Sequence, residues 1–126
     1  MKRRYKSFED TPVWQRAHGL VLKIYEISTR FPKEEMYTLT SQIRRAVISV
    51  EANIAEAFGR YHYLNKLNFY YNARGSLEES KSHWITTKDL KYITQDKYEE
   101  LSIEIEQVGE ELNKIIVTLR NKSEKS

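Results

Sequence analysis

Between Gln42 and Arg60 the chain is apolar or small on nearly every side of a helical wheel. At 100° per residue, Ala46, Val47, Val50, Ile54 and Ala57 fall within about 60° of Ile43 and make one face. Ile48, Ala52 and Ala55 point the other way. A helix with two greasy sides is covered from two sides. In a chain of 126 residues, the second cover is expected from another copy of the same chain, which makes Ile48, Ala52 and Ala55 the predicted oligomer interface.

The same spacing predicts three further helices. One runs over about 12–30, with Thr11 as its cap and Pro12 at the first helical position, where a missing N–H costs nothing. Trp14, Ala17, Val21, Ile24 and then Ser28 or Phe31 share a side, and Phe31-Pro32 stops the helix. The greasy helix itself covers about 38–58, and Gly59 suits a left-handed stop. The next covers about 64–92, where Leu67, Tyr70, Ala73, Leu77, Ser80, Trp84 and Thr87 step by three and four. Gly75 inside it costs about 1 kcal/mol against alanine, which a close backbone approach would offset. The last covers about 96–120, with Leu101, Ile105, Val108, Leu112, Ile115 and Leu119 as its seam. Acidic residues cluster at its start and basic ones at its end, as the helix dipole favours. Residues 1–7 form a basic arm, and they and residues 121–126 are expected to fray. Four such helices on short links bury their stripes best as an all-α, antiparallel up-down four-helix bundle, one domain over residues 1–126.

Composition sharpens this picture. Only 4 Gly and 2 Pro are present, and Pro12 and Pro32 both fall early, so long helices are unopposed afterwards. No cysteine occurs, which excludes disulfides and thiolate metal sites and fits a reducing cytoplasm. The basic start Met-Lys-Arg-Arg-Tyr-Lys is not followed by the apolar stretch of a signal peptide, and no run approaches a membrane span. A cytoplasmic protein with no membrane partner is expected. Net charge is +3, unevenly spread. Residues 1–94 hold 16 Lys/Arg against 10 Asp/Glu, and residues 95–126 hold 5 against 8. Such asymmetry suits a basic face for an anion such as nucleic acid, and equally an ordinary solvated surface.

Catalytic constellations are missing. Di-metal bundle enzymes carry Glu-x-x-His on two helices. Here Gln15, Gly59 and Ser80 precede His18, His62 and His83 by three. There is no His-Glu-x-x-His, Gly-rich phosphate loop or nucleophile elbow. Glu79 and His83 lie one turn apart, a spacing that ordinarily makes a surface contact. The expectation is a protein that is not an enzyme and holds no metal or other cofactor.

The helix over 38–58 carries a third stripe. Gln42, Ser49, Asn53, Glu56 and Arg60 follow one flank of its core face, and Glu56 and Arg60 have the favourable spacing for an ion pair. Arg74, Ser76 and Glu79 are possible partners from the next helix, with Arg74 able to pair with Glu56 or Glu79. As structure, the stripe is a satisfied polar seam that fixes register. As function, it is a ligand-contacting strip.

These residues carry a resemblance. Gln42-Ile43-Arg44-Arg45-Ala46, Ser49, Asn53-Ile54-Ala55-Glu56 and Arg60, followed by Ala73-Arg74-Gly75-Ser76-Leu77 and Glu79, resemble the bacterial four-helix-bundle proteins encoded in 23S ribosomal RNA intervening sequences. Trp14, Ala17 and Phe31-Pro32 fit that family's first helix. The likeness spans about residues 8–119. Ala57 stands where the family usually has glycine, and Ile48 and Val50 stand where small residues or isoleucine are common. The resemblance implies a homo-oligomer, a ring of five, and a link to RNA. It also implies kinship with the accessory proteins of diversity-generating retroelements, which are similar bundles that work with a reverse transcriptase and bind nucleic acid through a basic surface.

Two readings of function follow, with a metal or small-molecule bundle enzyme as a distant third. In the first, the chain is a non-catalytic nucleic-acid-binding ring. Lys2, Arg3, Arg4 and Lys6 on the arm and Arg16, Arg45, Arg60, Lys66 and Arg74 on the helices would neutralise RNA or DNA phosphates, and Tyr61, His62 and Tyr63 would stack on unpaired bases. Those tyrosines suit half-buried packing equally well. In the second, the chain is an interaction scaffold for a reverse transcriptase or another protein, through its acidic last helix or its outward Ile48, Ala52 and Ala55.

Overall fold

The computed structural model describes residues 4–125. Four helices account for the core: α1 (Pro12–Ser28), α2 (Leu39–Gly59), α3 (Tyr63–Asp89) and α4 (Gln95–Lys125). Short 3₁₀ turns at Phe8–Asp10 and Lys33–Glu35 precede α1 and α2. No strand occurs among the described residues. Each helix packs on its neighbours in sequence, and α4 closes back onto α1. Cross-links descend in register along every pair. His18 meets Glu51 while Ser28 meets Arg44; Ser49 meets Ser76 while Ala57 meets Lys66; Arg74 meets Asn113 while Trp84 meets Tyr98; and Arg16 meets Glu111 while Lys23 meets Glu104. The result is the expected all-α four-helix bundle.

Local chemistry sets the helix ends. The Thr11 hydroxyl accepts from the Trp14 N–H at 3.4 Å, and Pro12 follows it. α1 stops at Ser28, two residues before the expected end, because Phe31 precedes proline and the chain tightens first. The amides of Arg30 and Phe31 bond back only three residues, to Ile27 and Ser28. The left-handed stop expected at Gly59 does not occur. No glycine has positive φ, and the cap residue Arg60 is extended. The end of α2 is satisfied from outside instead, where the Lys66 ammonium donates to the Ala57 and Phe58 carbonyls at 3.1 and 3.3 Å. Among the described residues the left-handed one is Lys91, φ 65°. It closes α3 with the paired bonds of a Schellman cap, Lys91 N–H to the Lys88 carbonyl and Tyr92 N–H to the Thr87 carbonyl, so α3 ends at Asp89 and not Tyr92. α4 continues to Lys125 where fraying was expected after Arg120. No breaker interrupts it, and Lys122 reaches over the Tyr63 ring.

The core follows the predicted stripes with instructive exceptions. All six predicted residues of α2 and all seven of α3 are buried. Buried Ser80 and Thr87 satisfy their hydroxyls on the carbonyls four residues earlier, and the Trp84 indole donates to the Tyr98 carbonyl at 3.0 Å. In α1, Val13 and Leu20 join the core, whereas Trp14 moves to its edge between Phe8 and His18. In α4 the last turns bury Ile116 in place of Ile115. A strict seven-residue pattern drifts about 20° per heptad on a straight helix, so the inward position has moved on by one residue. Gly75 meets nothing that a Cβ would disturb, so no close approach offsets its cost. The tighter glycine is Gly109, where a Cβ would stand 3.4 Å from Leu77 Cδ2.

Candidate functional site

The polar stripe of α2 is a bonded seam against α3. The Ser49 and Ser76 hydroxyls share a hydrogen bond at 2.8 Å. Asn53 Nδ2 donates to the Ser49 carbonyl at 2.8 Å and to its hydroxyl at 3.1 Å. The pattern needs small side chains at 49 and 76, because only then do the helices come close enough for two hydroxyls to meet. Farther out, Arg60 pairs with Glu56 at 3.1 Å and lies over the Phe69 ring. Arg74 pairs with neither Glu56 nor Glu79. It donates to Asn113 at 3.2 Å and covers Tyr71, because its position on α3 turns toward α4. Glu79 meets His83. Gln42 is half-buried at the head of the stripe, and its side chain takes no part in the bonded chain.

Of the nine predicted cations, four have partners within the bundle. Arg16 is paired with Glu111, Arg60 with Glu56, Arg74 with Asn113, and Lys66 with the end of α2. Arg4 lies over the Tyr5 ring. Lys2 and Arg3 lie outside the described residues. Lys6 and Arg45 are exposed and make no side-chain hydrogen bond or ion pair among the described residues. The acidic helix α4 explains part of the pattern. Its carboxylates hold Arg16 and Lys23 of α1 and Lys81 of α3, and the Glu106 partner raises the Lys81 pKa. No such helix faces the outside of α2. Tyr61 is exposed with His62 edge-on to it, while Tyr63 is half-buried.

The outside of α2 continues onto α1. Ile48 is 37% exposed, Ala52 is exposed and Ala55 half-buried. Antiparallel register sets α1's Trp14, His18, Leu22 and Tyr25 beside Ala55, Glu51, Ile48 and Arg44. Leu22 is 59% exposed. Trp14 stacks on His18, His18 meets Glu51 at 2.7 Å, and Arg44 lies over Tyr25 while donating to Ser28. The α1 half of this patch was missed in the sequence. Its signal was present as the 14-18-22-25 spacing, a second apolar stripe beside the core one.

Among the described residues no group of three or more His, Asp or Glu side chains could hold a metal ion. None of their helices is long and apolar enough to cross a membrane.

The family model for the 23S rRNA-intervening sequence protein matches residues 9–114. The chain belongs to this family. A solved member of the S23 ribosomal protein family from Bacteroides thetaiotaomicron, described as a protein with unknown function, has the same fold. Its TM-score is 0.77 at 22% identity, covering 82% of this chain and 94% of that one. No curated protein matches. In this family member the Ser49, Asn53 and Ser76 side chains form one hydrogen-bonded chain between α2 and α3.

Proposed function

We propose that this 23S rRNA-intervening sequence protein is a non-catalytic accessory protein that assembles into a homo-oligomer of five and binds RNA or DNA through a basic surface. The observation that carries the reading is the family, whose name ties it to insertions in ribosomal RNA. One feature of the chain supports it. Arg45, Ile48 and Ala52 share one outward stripe of α2, so an apolar assembly face would carry an uncompensated cation on its rim. Symmetric repetition of that cation round a ring raises avidity without a new contact type.

Binding of this kind is driven by release of counterions from phosphate and has little sequence preference. The test is a salt titration of RNA binding with light-scattering mass on the same sample. The expected result is a mass near five times 15.0 kDa and a log–log slope of about −0.7 for each single-strand phosphate neutralised. Substituting Arg45 and Lys6 by glutamine should make that slope shallower. A slope near zero, or a 15.0 kDa monomer, overturns the reading.

The broad α1–α2 patch supports a second reading, in which the partner is a protein such as a reverse transcriptase, as kinship with retroelement accessory proteins would imply. Failure to bind nucleic acid at low salt, with recovery of one stoichiometric partner protein, favours that alternative.

A further inference from the structure

Where α1 begins and α2 ends, the bundle opens into a cavity of about 400 Å3, within the size range of small-molecule sites. Val13, Phe58 and Ile115 give it an apolar wall, and Tyr70, Glu111 and Lys114 supply its polar groups. We propose that this cavity binds a small amphipathic carboxylate, with the apolar body against Val13, Phe58 and Ile115 and the head between the Tyr70 hydroxyl and the Lys114 ammonium.

Three observations select that chemistry. Tyr70 is only 9% exposed, and its hydroxyl bonds to no described residue. No unpartnered polar side-chain atom is sealed in among the described residues, so that hydroxyl reaches solvent, and Tyr70 lines the cavity. A ligand oxygen would replace the solvent that this hydroxyl meets, with the apolar wall shielding the bond from water. Burial also pushes the Tyr70 pKa up, which keeps the phenol protonated as a donor. Charge then chooses the sign of the ligand. The Glu111 carboxylate is already neutralised by Arg16, while Lys114 has no ion-pair partner among the described residues. The mouth of the cavity is therefore net positive, against a mostly apolar interior. A neutral alcohol would satisfy the wall but not the lysine, and an inorganic anion would satisfy the lysine but not the wall. This site owes nothing to the nucleic-acid reading and stands or falls without it.

The experiment is calorimetric titration of the full chain with octanoate and, separately, with octanol. Octanoate should bind saturably and at least about tenfold tighter than octanol, the effect of one charge-assisted contact. Lys114→Gln should remove about that factor for octanoate and leave octanol unchanged. Tyr70→Phe should weaken octanoate by several-fold with little change in melting temperature, since the ring and its packing remain. Equal affinity for the two probes, an unaltered octanoate affinity in Lys114→Gln, or no saturable heat below the concentration at which octanoate self-associates would overturn the proposal.

Discussion

α2 and α4 bury their inner seams equally well, and their outer faces differ. α4 meets solvent and its neighbours with carboxylates, and Glu104, Glu106 and Glu111 each hold a cation from α1 or α3. Its outward apolar residues, Ile103 and Val117, stand singly among polar ones, which is ordinary for a surface. α2 has no comparable charge screen. Ile48 and Ala52 continue across to Leu22 and Tyr25 of α1, and Arg45 beside them has no counter-charge. A contiguous apolar patch marks an interaction surface, whereas scattered residues do not. The bundle thus has a finished side, built around α4, and an unfinished one along α1 and α2.

If the inner seams are equivalent, equal truncations should cost alike. Ile54→Ala in α2 and Leu112→Ala in α4, both fully buried, should each destabilise the protein by about 2–5 kcal/mol in urea unfolding. A Leu112→Ala cost under about 1 kcal/mol would mean that α4 is loosely held and that its acidic face does not report a finished side.

The outer faces should then separate. Ile48→Glu is expected to lower the light-scattering mass toward 15.0 kDa while leaving helical circular dichroism intact. Ile103→Glu, more exposed on α4, should leave the mass unchanged. Were both variants to keep the parent mass, the unfinished side would not be where copies meet.

A smaller effect belongs to the seam between α2 and α3. Asn53→Ala and Ser49→Ala should each cost about 1 kcal/mol, the net worth of a typical hydrogen bond. Because Asn53, Ser49 and Ser76 form one bonded chain, the double variant should cost less than the sum. Simple additivity would show that the two side chains act independently and that the seam does not set register.

Much of this arrangement is legible in the residues themselves. The α3 stripe reads correctly through Ser80 and Thr87, since small polar residues bury well when their hydroxyls bond back along the helix. The fold departs from the local pattern where several turns, or a neighbouring helix, decide the outcome. Ile116 displaces Ile115 because periodic drift accumulates over several turns. Gly59 reads as a left-handed stop, but Lys66 from the next helix supplies the cap. The basic surface was the least legible. Composition reveals an excess of cations, yet only the fold reveals that α4 takes up Arg16, Lys23 and Lys81 while Arg45 is left alone.

The last contrast lies at the end of the bundle where α2 begins. There a carboxylate is held by hydroxyls. Glu35 accepts from Thr38 and from the Tyr92 phenol, the latter at 2.7 Å. These bonds, Thr38 first, hold the Glu35 pKa below its ordinary value of 4.5, and the same contact raises that of Tyr92. A depressed carboxylate pKa stabilises the fold above the unfolded value, and that contribution is lost as pH falls through the folded one. Tyr92→Phe removes one of the two donors and leaves the ring against Phe31. The variant should therefore melt slightly below the parent at pH 6, and the gap should close as pH drops below 4.5. Near the ion pairs of α4, by contrast, Asn113→Ala removes a neutral acceptor from Arg74 and should show no such closure. If the Tyr92→Phe gap stays constant from neutral to acid, the phenol contributes packing alone, and the start of α2 is held no differently from the rest of the bundle.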